Sequence, residues 1–164
     1  MISKSILDEF QKKDIKLDSK QVEFLNLVEV SIKRDKKIFS FLRSKKILSI
    51  YLYGGVGIGK TILLKSIASK LNQEYKFIHF TNFMNHIKKR LDKLNGQKNP
   101  LDKVIDELKD QKRLIFIDEF QVEDVADAMI IAEIMPKLYL NEIPLFISSN
   151  SSVDELYQNG LQRE

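Results

Sequence analysis

Gly54-Gly55-Val56-Gly57-Ile58-Gly59-Lys60-Thr61 reads G-x-x-x-x-G-K-T, and it gathers four of the chain's six glycines into six residues. This is the pattern of a phosphate-binding loop. Glycines let the backbone curl so that successive N–H groups converge on phosphate oxygens. The helix expected next adds the positive end of its dipole. Lys60 supplies a point charge for the β- and γ-phosphates of a nucleoside triphosphate such as ATP, and the Thr61 hydroxyl supplies a ligand for Mg²⁺.

The flanking sequence supports this. Ile47-Leu48-Ser49-Ile50-Tyr51-Leu52-Tyr53 is β-branched, aromatic and apolar, which predicts a strand. From Ile62 to Leu71 the spacing is helical, with Leu63, Leu64, Ile67, Ala68 and Leu71 on one face. A Gly-rich turn beside a stray lysine would match the same string, but it would not bring a strand before it and a helix after it.

A second segment is needed for the metal and the attacking water. Leu114-Ile115-Phe116-Ile117-Asp118-Glu119 is an apolar run ending in two carboxylates, 58 residues beyond Lys60. A buried strand ending in Asp118 brings that carboxylate to the Mg²⁺ shell, and Glu119 is placed to polarise water as a general base. Alone the pattern is weak, since acidic residues often cap strands; beside the loop it is informative. Pro144-Leu145-Phe146-Ile147-Ser148-Ser149-Asn150 predicts a further strand with a polar carboxyl end, where open α/β sheets keep their ligand chemistry. Asn150 there can reach the γ-phosphate or the water; Ser149 to Ser152 would equally serve as ordinary turn residues.

Composition fits one domain with a sizeable core in 164 residues. With no cysteine, disulfide and thiolate–zinc frameworks are excluded. No apolar run approaches the ~18 residues of a membrane span. Met1 to Phe10 carries Asp8 and Glu9 and no arginine, a poor targeting signal. The net charge of +4 comes from many lysines matched by many acids and does not point to nucleic acid. Lys33-Arg34-Asp35-Lys36-Lys37 and Lys88-Lys89-Arg90 read as solvated helix faces. His79 and His86 read as structural.

Residues 1–46 read as a helical preface to a core at 47–164. Asp18-Ser19-Lys20-Gln21 has the form of a capping box, and Val22, Leu25, Val28 and Ile32 then make an apolar stripe to be buried, on the sheet domain by expectation. Tyr75 to Phe80 predicts a strand. Phe83 to Leu94 and Leu101 to Leu108 predict helices, separated by the loop Leu94 to Pro100. There is no internal repeat.

Several longer stretches resemble the ZapE cell-division ATPases and their relatives, the mitochondrial lactation-elevated ATPases. The resemblance lies in Tyr51 to Thr61; in Asp118-Glu119-Phe120-Gln121-Val122 with Asp124 and Ala126 to Ile130; in His79-Phe80 with Phe83-Met84; and in Ser149-Asn150, Leu156-Tyr157 and Asn159 to Glu164. It covers about Asp18 to the end. It implies an α/β fold, a P-loop NTPase of AAA+ type with a parallel sheet and flanking helices, and Asn150 as a first sensor. It implies MgATP hydrolysis in a ring of subunits, and a cytoplasmic setting, peripheral at the bacterial inner membrane beside a division-protein client, or organellar proteostasis. By the family's pattern an arginine and a phenylalanine come next, then a fifth strand and a helical lid. This chain is therefore expected to lack that strand, the lid and the trans-acting arginine, with Arg163 the nearest remaining candidate. The first strand would then lie at an open sheet edge. Pro136 falls within an expected continuous helix, Val125 to Leu140, at a cost on the order of 3 kcal/mol unless the helix restarts there. An ATPase and a nucleotide-binding module with little turnover both remain open on these residues. A helicase-loader-like ATPase acting on nucleic acid is disfavoured by the modest charge.

Overall fold

Two nearly continuous apolar runs set the architecture. β3 (Leu114–Asp118) and β4 (Leu145–Ser149) are buried along their whole length, as strands covered on both faces must be. A computed structural model of the chain describes residues 1–38, 49–71, 74–110 and 114–156, with the backbone alone for 31–38. Ile47, Leu48 and Tyr157 to Glu164, Arg163 among them, lie outside the described residues, as do the side chains of Ile32 and of the Lys33–Lys37 cluster.

β1 (Ile50–Tyr53) and β2 (Tyr75–His79) flank the central pair, and the four strands run parallel in the order β1-β4-β3-β2. The register pairs Tyr53 with Ser149, Ile117 with Ile147, and Asp118 with His79. The carboxyl ends of all four strands therefore come level. Among the described residues β1 is an outer strand.

The described residues divide into two compact units, Met1–Leu48 with Ile62–Asn72, and Ser49–Thr61 with Gln73–Glu164. The division passes through α3 (Lys60–Lys70), just after Thr61. In the first unit α1 (Ile2–Lys12) meets α2 (Ser19–Ile38), with Ile6, Phe10, Leu25 and Val28 buried. The Ser3 N–H donates to Glu29 Oε2 at 3.0 Å, and the Ser3 hydroxyl donates to the same oxygen. The capping box forms as read: Asp18 N–H donates to Gln21 Oε1 and Gln21 N–H to Asp18 Oδ1, each at 2.8 Å. Leu63, Leu64, Ile67 and Ala68 are buried on α3, while Leu71 is only half-buried.

In the second unit α4 (Phe80–Lys93), α5 (Pro100–Asp110) and α6 (Val125–Leu140) form one core with Ile115, Ile117, Leu145 and Ile147 of the sheet. The alternation of strand side chains sends Phe116, Phe146, Asp118 and Ser148 to the other face. Phe116 and Phe146 stack there, ring centroids 4.6 Å apart. Pro100 takes the first helical position of α5, where its missing N–H costs nothing.

Two expectations are revised. β2 ends at His79, and Phe80 opens α4 instead of closing the strand. The reason is packing: Phe80 is buried, with its ring 4.7 Å from Phe120. The expected continuous helix over Val125–Leu140 does form, as α6, with Pro136 inside it. Pro136 and Ala132 are both exposed, so water can satisfy the Ala132 carbonyl that loses its helical partner. The Lys88–Arg90 face is paired as well as solvated, Lys88 with Asp127 of α6 and Arg90 with Glu107 of α5.

Candidate nucleotide site

β1 stops at Tyr53, residues 54–59 form a loop, and α3 begins at Lys60. The loop is pinned at its start, where Gly54 N–H donates to the Ser149 carbonyl at 3.3 Å. Gly57 and Gly59 sit at φ +81° and +80°, in the left-handed region that glycine enters without strain. Gly55, Val56 and Ile58 are exposed.

The Lys60 ammonium bridges the loop from within. It donates to the Gly54 carbonyl at 2.8 Å, the Gly55 carbonyl at 2.7 Å and Asn150 Oδ1 at 2.9 Å. These engage all three of its protons. Burial draws the ammonium below the usual lysine range, against the opposing pull of Asp118 and Glu119. The expected strand–loop–helix arrangement and the expected proximity of Asn150 are thus both present.

Thr61, the next residue, donates its hydroxyl to Asp118, 2.9 Å from Oδ1 and 3.0 Å from Oδ2. Asp118 closes β3 and is 2 % exposed. Glu119 follows with φ 55°, left-handed and uncommon for a non-glycine residue, and its side chain faces solvent. That turn lifts the second carboxylate out of the sheet while the first stays buried. His79 Nδ1 lies 3.8 Å from Glu119 Oε2, so a histidine read as structural stands at the site's rim.

Sequence reasoning missed Ser148. Its hydroxyl donates to Asp118 Oδ1 and accepts the Glu119 N–H at 3.2 Å, and its carbonyl accepts the Phe120 N–H at 2.7 Å. Ser149, read as part of the third motif or a turn, is buried in β4 and donates to the Phe120 carbonyl at 2.7 Å. The available signal was two hydroxyls ending an apolar strand beside another that ends in Asp.

The donor set suits a small hard cation. A hydroxyl and a carboxylate within hydrogen-bond reach are the protein's usual share of a Mg²⁺ shell, completed by phosphate and water. Among the described residues there is no group of three or more His, Cys, Asp or Glu side chains that would cage a metal by itself.

The loop, the buried acid and the asparagine thus meet at the carboxyl ends of the strands. The sequence signature of AFG1-like ATPases matches residues 4–164. The chain belongs to the AFG1-like ATPase family. Over 115 residues it is 41% identical to the cell division protein ZapE of Escherichia coli K12, covering 70% of this chain and 31% of that one. Over 125 residues it is 37% identical to lactation elevated protein 1 homolog B of Danio rerio, covering 69% and 25%. The chain thus spans a third or less of these relatives. Among solved structures, DnaI superposes with TM-score 0.56 at 20% identity, covering 85% of this chain and 71% of that one. AMPPCP-bound DnaA from Aquifex aeolicus superposes with TM-score 0.50 at 21% identity, covering 79% and 40%. These likenesses show the shared P-loop AAA+ fold. The expected fold class and family are borne out.

Proposed function

We propose that this AFG1-like chain binds and hydrolyses MgATP. One observation carries the reading: Thr61 and Asp118 meet at 2.9 Å beside the loop whose lysine touches Asn150. The strand carrying Asp118 ends in the acid pair, and the lysine is held over the loop that would receive phosphate. The core of this activity is assigned to residues 47–164, with 1–46 as the helical preface.

In this reading the loop of Gly54, Gly55, Val56, Gly57, Ile58 and Gly59, pinned through its Gly54 amide, turns its later amides and the Lys60 ammonium to the phosphates. Thr61 and Asp118 hold Mg²⁺, which when bound offsets phosphate charge. Glu119 takes a proton from water as the water oxygen attacks the γ-phosphorus, and the bond to the β–γ bridging oxygen breaks to leave ADP. Asn150 orients the γ-phosphate or that water. A second cation over the phosphates is assigned to a neighbouring subunit; Arg90 is engaged elsewhere, pairing with Glu107. By likeness to the Escherichia coli relative, the setting is cytoplasmic, at the division machinery by the inner membrane with a division-protein client. No helix among the described residues is long and apolar enough to cross a membrane.

Steady-state MgATP turnover against chain concentration, with Lys60→Ala as blank, tests this. Turnover per chain is expected to rise with concentration above the blank. Turnover that stays at the blank while ATP still binds would instead support the second reading, a nucleotide-binding module, which the intact loop also favours.

A further inference from the structure

We infer that Ser148 is a positioning residue that sets both carboxylates of the site, fixing Asp118 through its proton and presenting Glu119 through the turn it holds. This rests on the MgATP reading above and adds a residue that reading does not use.

A serine hydroxyl has one proton to give and two lone pairs to receive. In Ser148 the proton goes to Asp118 Oδ1, and the oxygen accepts the Glu119 N–H at 3.2 Å. The main chain of the same residue takes the Phe120 N–H at 2.7 Å. One residue of β4 therefore grips three consecutive residues at the end of β3. Ser148 is 1 % exposed, so water cannot replace its hydroxyl if it is removed.

The grip has a mechanical consequence. A non-glycine residue in the left-handed region is strained and persists only where its surroundings over-determine it. Glu119 is such a residue, at φ 55°. The two bonds from Ser148 to the N–H groups of Glu119 and Phe120 supply that over-determination. Asp118 is held from both sides, by the Thr61 hydroxyl from α3 and the Ser148 hydroxyl from β4. Such partners orient a metal-holding carboxylate, and their loss typically costs about 10–100-fold in metal affinity or activity. A serine that was only a satisfied core residue would have no reason to end both of its bonds on the acid pair.

The test compares the parent chain with Ser148→Ala and with Ser148→Thr and Ser148→Val, which match in volume and differ in the hydroxyl. Binding of a fluorescent non-hydrolysable ATP analogue is followed without metal and then through a Mg²⁺ titration. Backbone amide exchange at Glu119 is followed without nucleotide. The Ala and Val variants should raise the Mg²⁺ midpoint about 10–100-fold, leave metal-free affinity unchanged and speed Glu119 exchange, whereas Thr stays near the parent. An unshifted midpoint in Ser148→Ala, or equal impairment in Thr and Val, overturns the inference. A parent that binds analogue and responds to Mg²⁺ without turnover sinks the hydrolysis reading alone, and the midpoints still decide the role of Ser148. A parent that binds no nucleotide overturns both.

Discussion

Lys60 and Glu119 occupy opposite electrostatic situations within one site. Lys60 is nearly enclosed, and its three protons are matched by three oxygens. Removing it deletes a charge-assisted contact worth roughly 1.5–3 kcal/mol, so Lys60→Ala should weaken ATP binding by about 10–100-fold in a fluorescence titration. Unchanged affinity would sink the loop assignment. Glu119 is exposed and contributes little packing, so Glu119→Gln keeps the shape and removes only the base. Turnover should fall about 10²–10⁴-fold with MgATP affinity retained, read by phosphate release beside analogue binding. Full turnover in that variant would show that another group takes the proton. The site was legible where chemistry demands a residue type at a spacing: the glycines, Lys60, Thr61, Asp118 and Glu119 all stand in one contiguous pattern each. Ser148 was not legible, because its role depends on which strand lies beside β3, and pairing is a tertiary fact. The left-handed turn at Glu119 was hidden for the same reason, since glutamate has no local preference for it.

Among the elements, α2 and α6 carry opposite lessons about local rules. The capping box at Asp18 and Gln21 followed from sequence alone, because both partners lie within one turn. Asp18→Ala leaves helical N–H groups uncapped and should cost about 1 kcal/mol in thermal or denaturant unfolding. Pro136 ran the other way, since the breaker sits inside an unbroken helix on its exposed face. Pro136→Ala should restore a helical N–H and stabilise the chain by about 2 kcal/mol, a gain reduced by the greater freedom of the unfolded chain. An unchanged midpoint would mean that the helix had already relaxed around the ring. The start of α4 at Phe80 was missed because burial against Phe120 takes Phe80 out of the strand read from Tyr75 to Phe80. Glu9 on α1 bonds Lys13 first and Lys70 of α3 second, and these pull its carboxyl from 4.5 to about 2. A depressed value means that the contact stabilises above pH 4.5 and is lost as pH falls towards about 2. A carbon-detected NMR titration should show that low midpoint, and Lys13→Ala should move it upward.

At the scale of the whole molecule, strand order brings the site together. Its residues come from three distant stretches, the loop after β1, the end of β3 and the end of β4. With the order β1-β4-β3-β2 these are three adjacent carboxyl ends, so one parallel sheet aligns lysine, acids and asparagine without long connections. The same order sets how firmly each part is held. β3 and β4 pair on both sides and are buried at every residue. β1 and β2 each have one partner among the described residues and are only half-buried along most of their length. Native-state amide exchange should therefore be slowest in β3 and β4 and faster in β2 and β1, since opening free energy follows burial and shared hydrogen bonds. The acid pair and Asn150 would then hang from the most protected strands, while the loop that must admit phosphate follows from a less protected one. Protection of Ile50 to Tyr53 equal to that of Leu114 to Asp118 would break this ordering, and it would mean that β1 is paired on its second side in solution.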